Sequence, residues 1–300
     1  MHLCSCRCRS HEETTENKKV AGLLGVLMRC CVYLGIDETL TRDRVRYLLT
    51  EAEVQEVLVA GSAFDLPLCK TVDVLGLPER PFSPPVRAAA RPDPDAYLMY
   101  TSGSTGLPKA VRITHHQLLR LCRAFITDWD SRMKPGDHAL GLIAYAWDMH
   151  LLDIFMPLLQ GATLQTLTEA ERLDGSRVAP YFADQRPRWC QGTPTLYRAL
   201  LSSGWDGLGS GNLTCISSGE PLTPPLAANL IPRCGSVVNC YGLTEGTIFQ
   251  SFSFARDAEK ITCGNSCYPD PHYGRTYVIV DGVALTPSDS SGKVSGLPNS

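Results

Sequence analysis

An α/β architecture, with mixed or parallel sheets flanked by helices, is predicted by three features of this sequence. Apolar runs of strand length alternate with helical periodicity along most of the chain. A strand-like run ending near residue 101 breaks into hydroxyls and glycines, then returns to apolar residues behind a lysine. A second strand-like run, starting near residue 237, delivers an amide, an aromatic ring, a hydroxyl and a carboxylate onto a glycine turn. With 300 residues, 44% of them hydrophobic, the chain can bury a substantial core in one large or two modest domains.

The elements follow in order. Residues 1–19 carry charge and cysteine without the apolar centre of a secretory signal, and are expected to form a disordered leader. Cys4, Cys6 and Cys8, with His2 and His11, match no structural zinc spacing. Residues 20–37 read as the end of a helix and a short strand. Residues 43–53 read as a helix with Val45, Leu48 and Leu49 on one side, and 54–59 as a strand. Six prolines between residues 77 and 95 exclude a regular helix or central strand, so this stretch is a surface connection. A strand at 111–113, a helix at 115–129 and a strand at 139–143 come next. Between 145 and 164, Met149, Leu152, Phe155, Met156 and Leu159 recur at helical spacing and predict a buried helix. Asp148 opens that helix, either as a cap or in a more specific role. A strand from 163, a helix at 176–184, a strand near Trp189 and a helix at 193–201, with Pro194 in its first turn, complete the alternation. Residues 277–281 read as a late strand.

The stretch YLMYTSGSTGLPKAV, residues 97–111, suits a polyphosphate. Gly103 and Gly106 allow close backbone approach, Thr101, Ser102, Ser104 and Thr105 offer hydroxyls, and Lys109 supplies positive charge. It is not a Walker loop, because Ala110 follows the lysine where that loop needs Ser or Thr. A merely flexible surface loop would share the composition, but the flanking strands and the placed lysine favour a phosphate loop. The net charge of -3 gives no reason to expect nucleic acid or an anionic membrane, and no apolar run is long enough to cross a bilayer. Small molecules are the expected partners. Of the 13 cysteines, those beyond the leader, Cys30, Cys31 and Cys190 among them, read as buried thiols of a cytoplasmic protein and not as a disulfide framework.

TSGSTGLPK resembles the phosphate loop of the adenylate-forming, AMP-binding enzymes. Five further stretches resemble that family in the same chain order: VAGLLGVLMRCCVYLGID, YAWDMHLLDIFMPLLQGATL, QGTPTLYRALL, ISSGEPL and VVNCYGLTEGT. The first two are similar to the amino-acid adenylation domains of nonribosomal peptide synthetases. The sequence departs from that pattern at Met28, Cys30 and Gly35, where lysine, glycine and proline are usual. It departs again at Leu243 and Gly246, where proline and threonine are usual, and these two are expected to loosen the turn.

The resemblance implies activation of an amino-acid carboxylate with ATP and Mg2+, giving an aminoacyl-adenylate. Lys109, Thr244 and Glu245 would be catalytic, with magnesium on Glu245. Thr101, Ser102, Gly103, Ser104, Thr105, Gly106, Gly219, Glu220, Asn239, Tyr241 and Gly242 would meet the nucleotide, Tyr241 by stacking on the adenine. Asp148 would bind the substrate ammonium, in a pocket of Met149, Leu152, Gln191, Ile216, Ser218, Cys240, Ile248 and Phe249. Residues 20–300 would be the large N-terminal domain of the fold, partial, with the C-terminal lid and its lysine absent. A phosphopantetheinyl carrier protein acting in trans would be the partner. A catalytically inactive nucleotide- or partner-binding remnant, or an acyl-CoA ligase in which Asp148 only caps a helix, are the alternatives.

Overall fold

The computed structural model describes residues 15–37, 40–61, 69–77, 93–102, 108–128, 132–207, 211–267, 278–280 and 283–285. Two compact units are present: residues 1–118 with 144–150, and residues 119–143 with 151–300.

The first unit opens with α1 (Thr15–Met28), followed by β1 (Tyr33–Leu34), α2 (Arg42–Glu51), β2 (Glu56–Val59), β3 (Lys70–Asp73), β4 (Asp95–Thr101) and β5 (Lys109–Thr114). The expected disordered leader is corrected at its end, since residues 15–19 are helical. Val20, Leu23 and Leu27 form the buried stripe of α1, and its polar first turn continues that helix. There Glu16 lies near the N-terminal end and pairs with Lys19 at 2.8 Å. Residues 1–14, including the early cysteines, lie outside the described residues. α2 begins where Thr41 accepts a hydrogen bond from the Arg44 amide, and it buries Val45, Leu48 and Leu49 as their spacing predicts. β1 pairs parallel to β4 and β4 antiparallel to β5. β3, which sequence periodicity did not indicate, pairs parallel to β2. Most of the proline-rich connection, 78–92, lies outside the described residues.

The helix α3 (His115–Asp128) follows, with Leu118, Leu121, Cys122 and Phe125 buried on one stripe. The second unit contains β6 (His138–Gly141), α4 (His150–Leu159), β7 (Thr163–Thr166), α5 (Glu169–Arg172), α6 (Gly175–Gln185), β8 (Trp189–Gly192) and α7 (Pro194–Ser202). It continues through β9 (Thr214–Ser217), α8 (Pro224–Leu230), β10 (Ser236–Tyr241), β11 (Ser251–Phe254) and β12 (Asn265–Ser266). A short antiparallel pair, β13 (Val278–Val280) and β14 (Val283–Leu285), comes last. Its seven-stranded sheet has the order β12-β11-β10-β9-β8-β6-β7. From β10 to β7 the neighbours are parallel, and β11 and β12 add an antiparallel edge. This is the mixed, helix-flanked α/β build that the sequence predicts. The main core fills one face of the sheet, where Phe182 of α6, Tyr197 and Leu200 of α7, and Leu226 and Leu230 of α8 meet Cys190, Cys215 and Val237 of the strands.

Among the described residues no helix is long and apolar enough to cross a membrane. The cysteine expectation holds only in part. Cys190 is buried, but Cys30 and Cys31 are exposed, because they follow the end of α1 and leave its apolar stripe, Cys30 in a left-handed turn. Burial pushes the Cys122 thiol up to about 12 and holds those of Cys215 and Cys240 well above the usual thiol range. A maleimide is therefore expected to label Cys30, Cys31 and Cys263 in the folded protein, and Cys122, Cys215 and Cys240 only on unfolding. Peptide mapping after brief labelling reads this, and early labelling of Cys215 would contradict the packing.

Candidate functional site

In the first unit, the antiparallel register of β4 and β5 ends on the pair Thr101 and Lys109. The intervening loop thus leaves and re-enters at adjacent points, with Ser102 and Lys109 exposed and Thr101 half-buried. Gly103, Ser104, Thr105 and Gly106 lie outside the described residues.

Asp148 and Met149 are in the same unit, on the turn before α4, and both are buried. Asp148 therefore precedes the helix by two residues and does not open it, a correction to the expected boundary. The turn is bonded to itself: the Trp147 amide donates to the Ala144 carbonyl at 3.0 Å and the His150 amide to the Trp147 carbonyl at 3.1 Å. His150 Nδ1 also lies 2.5 Å from the Trp147 carbonyl, which can only accept, so Nδ1 carries the proton. The His150 ring is set between Tyr33 and Tyr145, at centroid distances of 5.6 and 5.2 Å. Gly35 permits this arrangement, since a Cβ there would lie 2.3 Å from the Tyr145 carbonyl oxygen.

In the second unit, strand alternation sorts the expected site residues. Cys190, Cys215 and Val237 share one row across β8, β9 and β10, and their side chains join the main core. The next row is Gln191, Ile216 and Val238, and it faces the other way. Cys240, two residues beyond Val238, takes that second face, whereas Asn239 and Tyr241 take the first. Gln191, Ile216, Ser218 and Cys240 are all buried, at or just beyond the carboxyl ends of parallel strands. Leu152 is buried in α4, Ile248 is buried, and Phe249 stacks on Phe125 at 5.9 Å. Open α/β sheets commonly bind ligands at these strand ends.

Asn239 is buried and donates from Nδ2 to the Thr262 carbonyl at 2.8 Å, while Tyr241 is half exposed. Gly219 has a left-handed φ of 80°. The carboxylate of Glu220 accepts from Thr195 Oγ1 at 2.7 Å and lies 3.9 Å from Arg198. Gly242 is required by close approach, because a Cβ would fall 1.9 Å from the Ile248 carbonyl oxygen. Thr244 and Glu245 are on a short 3-10 turn, Glu245 exposed. No cluster of three or more metal-ligating side chains occurs among the described residues. Magnesium needs only one or two carboxylates when phosphate oxygens complete its shell, and the exposed Glu245 fits that requirement.

Asp153 appears in the sequence only as part of a context, yet it joins two elements. Its Oδ2 accepts from the amides of Leu142 and Ile143, each at 2.9 Å, fastening α4 to the end of β6. An acid in the otherwise apolar run HLLDIFMPLL was the available signal.

The AMP-binding enzyme family matches residues 18–287. The chain belongs to that family. It is 32% identical over 248 residues to surfactin synthase subunit 3 of Bacillus subtilis, covering 79% of this chain and 19% of that protein. It is 30% identical over 257 residues to a dimodular nonribosomal peptide synthase of the same organism, covering 80% of this chain and 10% of the relative. The chain thus spans a small part of these relatives. A four-domain nonribosomal peptide synthetase, AB3403, solved with AMP and glycine, superposes with a TM-score of 0.71 at 25% identity, covering 83% of this chain and 18% of that one. The nonribosomal peptide synthetase FmoA3 shares the fold at a TM-score of 0.75 and 23% identity, over 93% of this chain and 31% of that one.

Burial pushes the Asp153 carboxyl well above the usual carboxylate range, although the Ile143 and Leu142 amides and the Arg172 charge act the other way. The native state then holds this proton to higher pH than the unfolded chain does. Its contribution to stability is fullest below about pH 3.9 and declines as pH rises through the raised native value. Asp153→Asn keeps an acceptor for both amides and is expected to flatten the fall in stability between pH 4 and neutrality. Asp153→Ala is expected to cost about 2–4 kcal/mol at low pH, by orphaning two buried donors, and less as pH rises. Thermal unfolding across pH checks both.

Proposed function

We propose that this chain is the nucleotide- and amino-acid-binding core of an adenylation domain, activating an amino-acid carboxylate as an aminoacyl-adenylate. The observation that carries the reading is the division of β10, which turns Asn239 and Tyr241 to one face and Cys240 to the other. A nucleotide and a substrate side chain can then be held on opposite faces of one strand end. The buried Asp148 supports an amino acid in place of a simple fatty or aryl acid, since a carboxylate complements an ammonium group.

In the proposed reaction a substrate carboxylate oxygen bonds to the α-phosphorus of ATP, and the bond to the bridging oxygen breaks as pyrophosphate leaves. Lys109 and the hydroxyls of Thr101 and Ser102, with Ser104 and Thr105, bind phosphate oxygens and neutralise charge as it shifts to the leaving group. Tyr241 stacks on the adenine and Asn239 bonds it, while Gly219, Glu220 and Gly242 line the nucleotide. Thr244 meets phosphate. Magnesium, when held by Glu245, neutralises phosphate charge. Leu152, Gln191, Ile216, Ser218, Ile248 and Phe249, with Cys240, are the residues of the second unit proposed to meet a mid-sized, mainly apolar side chain, and Met149 of the first unit is proposed for the same substrate by the family resemblance. In the proposed second step the thiol sulfur of a phosphopantetheinyl carrier protein in trans loses its proton and bonds to the acyl carbon, while the bond from that carbon to the phosphate oxygen breaks and AMP leaves. The proposed location is the cytoplasm, where ATP, free amino acids and reduced thiols are all available.

The test is amino-acid-dependent exchange of labelled pyrophosphate into ATP, over a panel of amino acids. Exchange is expected with one amino acid or a few of similar size. Lys109→Ala should lower it by about 100-fold. Asp148→Ala should abolish amino-acid stimulation while ATP binding is retained. Equal exchange by the Asp148 variant would favour a carboxylic-acid ligase that does not read the ammonium. ATP binding without exchange under any condition would favour an inactive nucleotide-binding domain.

A further inference from the structure

The segment between β10 and β11 doubles back on itself in a conformation that needs an external hold. Thr247 and Ile248 are both left-handed, with φ of 70° and 65°. Both are β-branched, a class for which that region is sterically costly. The Phe249 amide donates to the Thr247 carbonyl at 2.7 Å across Ile248, forming a γ-turn of the rarer, strained hand. Such strain persists only where the surroundings over-determine it.

Gln250 supplies the hold. Its backbone amide donates to the Tyr241 carbonyl at 2.9 Å, and its own carbonyl accepts from the Cys267 amide at 2.8 Å. Its side chain reaches across the loop to a single residue. Oε1 accepts from the Leu243 amide at 2.6 Å, and Nε2 donates to the Leu243 carbonyl at 3.2 Å. That carbonyl also accepts from the Gly246 amide at 2.9 Å, which closes the 3-10 turn of Thr244, Glu245 and Gly246. The carboxamide is therefore bonded to the residue from which this turn starts.

The two departures from the family pattern in this loop belong to the same contact. A proline at 243 has no amide hydrogen and could not donate to Oε1. At 246 a Cβ would stand 2.3 Å from Gln250 Nε2 and 2.4 Å from its Cδ. A glutamine clamp thus needs a residue with an amide hydrogen at 243 and leaves no room for a Cβ at 246, conditions that Leu243 and Gly246 meet, so that the turn is fastened by a different bond.

We propose that Gln250 is a positioning residue. Its carboxamide clamps Leu243 and so orients Thr244 and Glu245, which makes the magnesium-dependent part of nucleotide binding depend on it. The role in nucleotide binding rests on the function proposed above; the clamp itself does not.

The experiment compares the full chain with Gln250→Ala, Gln250→Glu and Gly246→Ala, and with Gly246→Ala in the Gln250→Ala background. Hydrogen exchange at the Leu243 amide reads the clamp. ATP affinity with magnesium and with EDTA reads the positioning. Gln250→Ala is expected to speed exchange at Leu243 by about tenfold and to shrink the magnesium-dependent gain in ATP affinity by about fivefold, while affinity in EDTA stays within about twofold. Gly246→Ala should reproduce both effects by displacing the carboxamide, and should add little in the Gln250→Ala background. Gln250→Glu keeps the acceptor for the Leu243 amide and loses the donor, so it should fall between. Unchanged exchange at Leu243 in Gln250→Ala, or equal costs of Gly246→Ala in both backgrounds, would overturn the clamp. Faster exchange with an unaltered magnesium gain would overturn the positioning role. If the unsubstituted chain bound no ATP, the functional reading and the positioning role would both fall, and exchange at Leu243 would still judge the clamp.

Discussion

Parallel strands covered on both faces leave no side chain free to point into water, and β8 and β9 meet that constraint at every position. Each residue of WCQG and TCIS must go either into the packed core or toward the opposite face. Period-two alternation makes the choice. Cys190 and Cys215 fall to the core, where Tyr197 and Leu200 meet them, so Gln191 and Ile216 fall to the other side. A slip of one residue in this register would bury Gln191 among α6, α7 and α8 and turn the core cysteines outward. The facing of Gln191, Ile216 and Cys240 is therefore inherited from the packing of the sheet.

That inheritance has a polar cost, met at the strand ends. Buried polar groups are costly unless bonded, and here they gather where β6, β8, β9 and β10 stop. Asn239 donates to the Thr262 carbonyl, Asp153 accepts from two amides beyond β6, and the Ser218 amide donates to the Gly192 carbonyl at 3.2 Å. The central parts of the strands are largely apolar, so they set the register. The ends, where backbone groups leave the ladder, offer the partners that polar side chains need. The residues that set the register and the buried polar groups are thereby assigned to different stretches of the same strands.

Much of this was legible in the sequence, for physical reasons that differ by element. α2, α6, α7 and the strands β6, β7, β8 and β10 follow from local apolar runs and periodicity, with Pro194 marking the first turn of α7, whereas β9, β11 and β12 carry no such reading in the sequence. The start of α1 was missed because its first turn is polar, although Glu16 and Lys19 belong to the same helix. The strand β3 was missed because KTVD alternates weakly and is held by its partner β2. The exposed Cys30 and Cys31 were misjudged because an apolar neighbourhood in sequence continued past the end of the helix that buries it. Of the candidate site, the residue types were legible, and the faces on which they lie were not. Faces depend on register between strands far apart in the chain.

The substituted positions show most directly where sequence reasoning stops. Gly35 is a departure of no evident consequence until the Tyr145 carbonyl is seen to need the space that a Cβ would fill. Leu243 and Gly246, taken singly, each remove a restraint from the turn that carries Thr244 and Glu245. Taken with Gln250 they are one device, because the amide that proline lacks is the amide the carboxamide binds, and the methyl that glycine lacks would stand in the carboxamide's place. Conformational restraint built into a residue's own backbone has here been replaced by restraint from a hydrogen-bonded neighbour seven residues away. A change of this kind carries no local propensity signal. It becomes visible only when the contact that couples the three positions is seen.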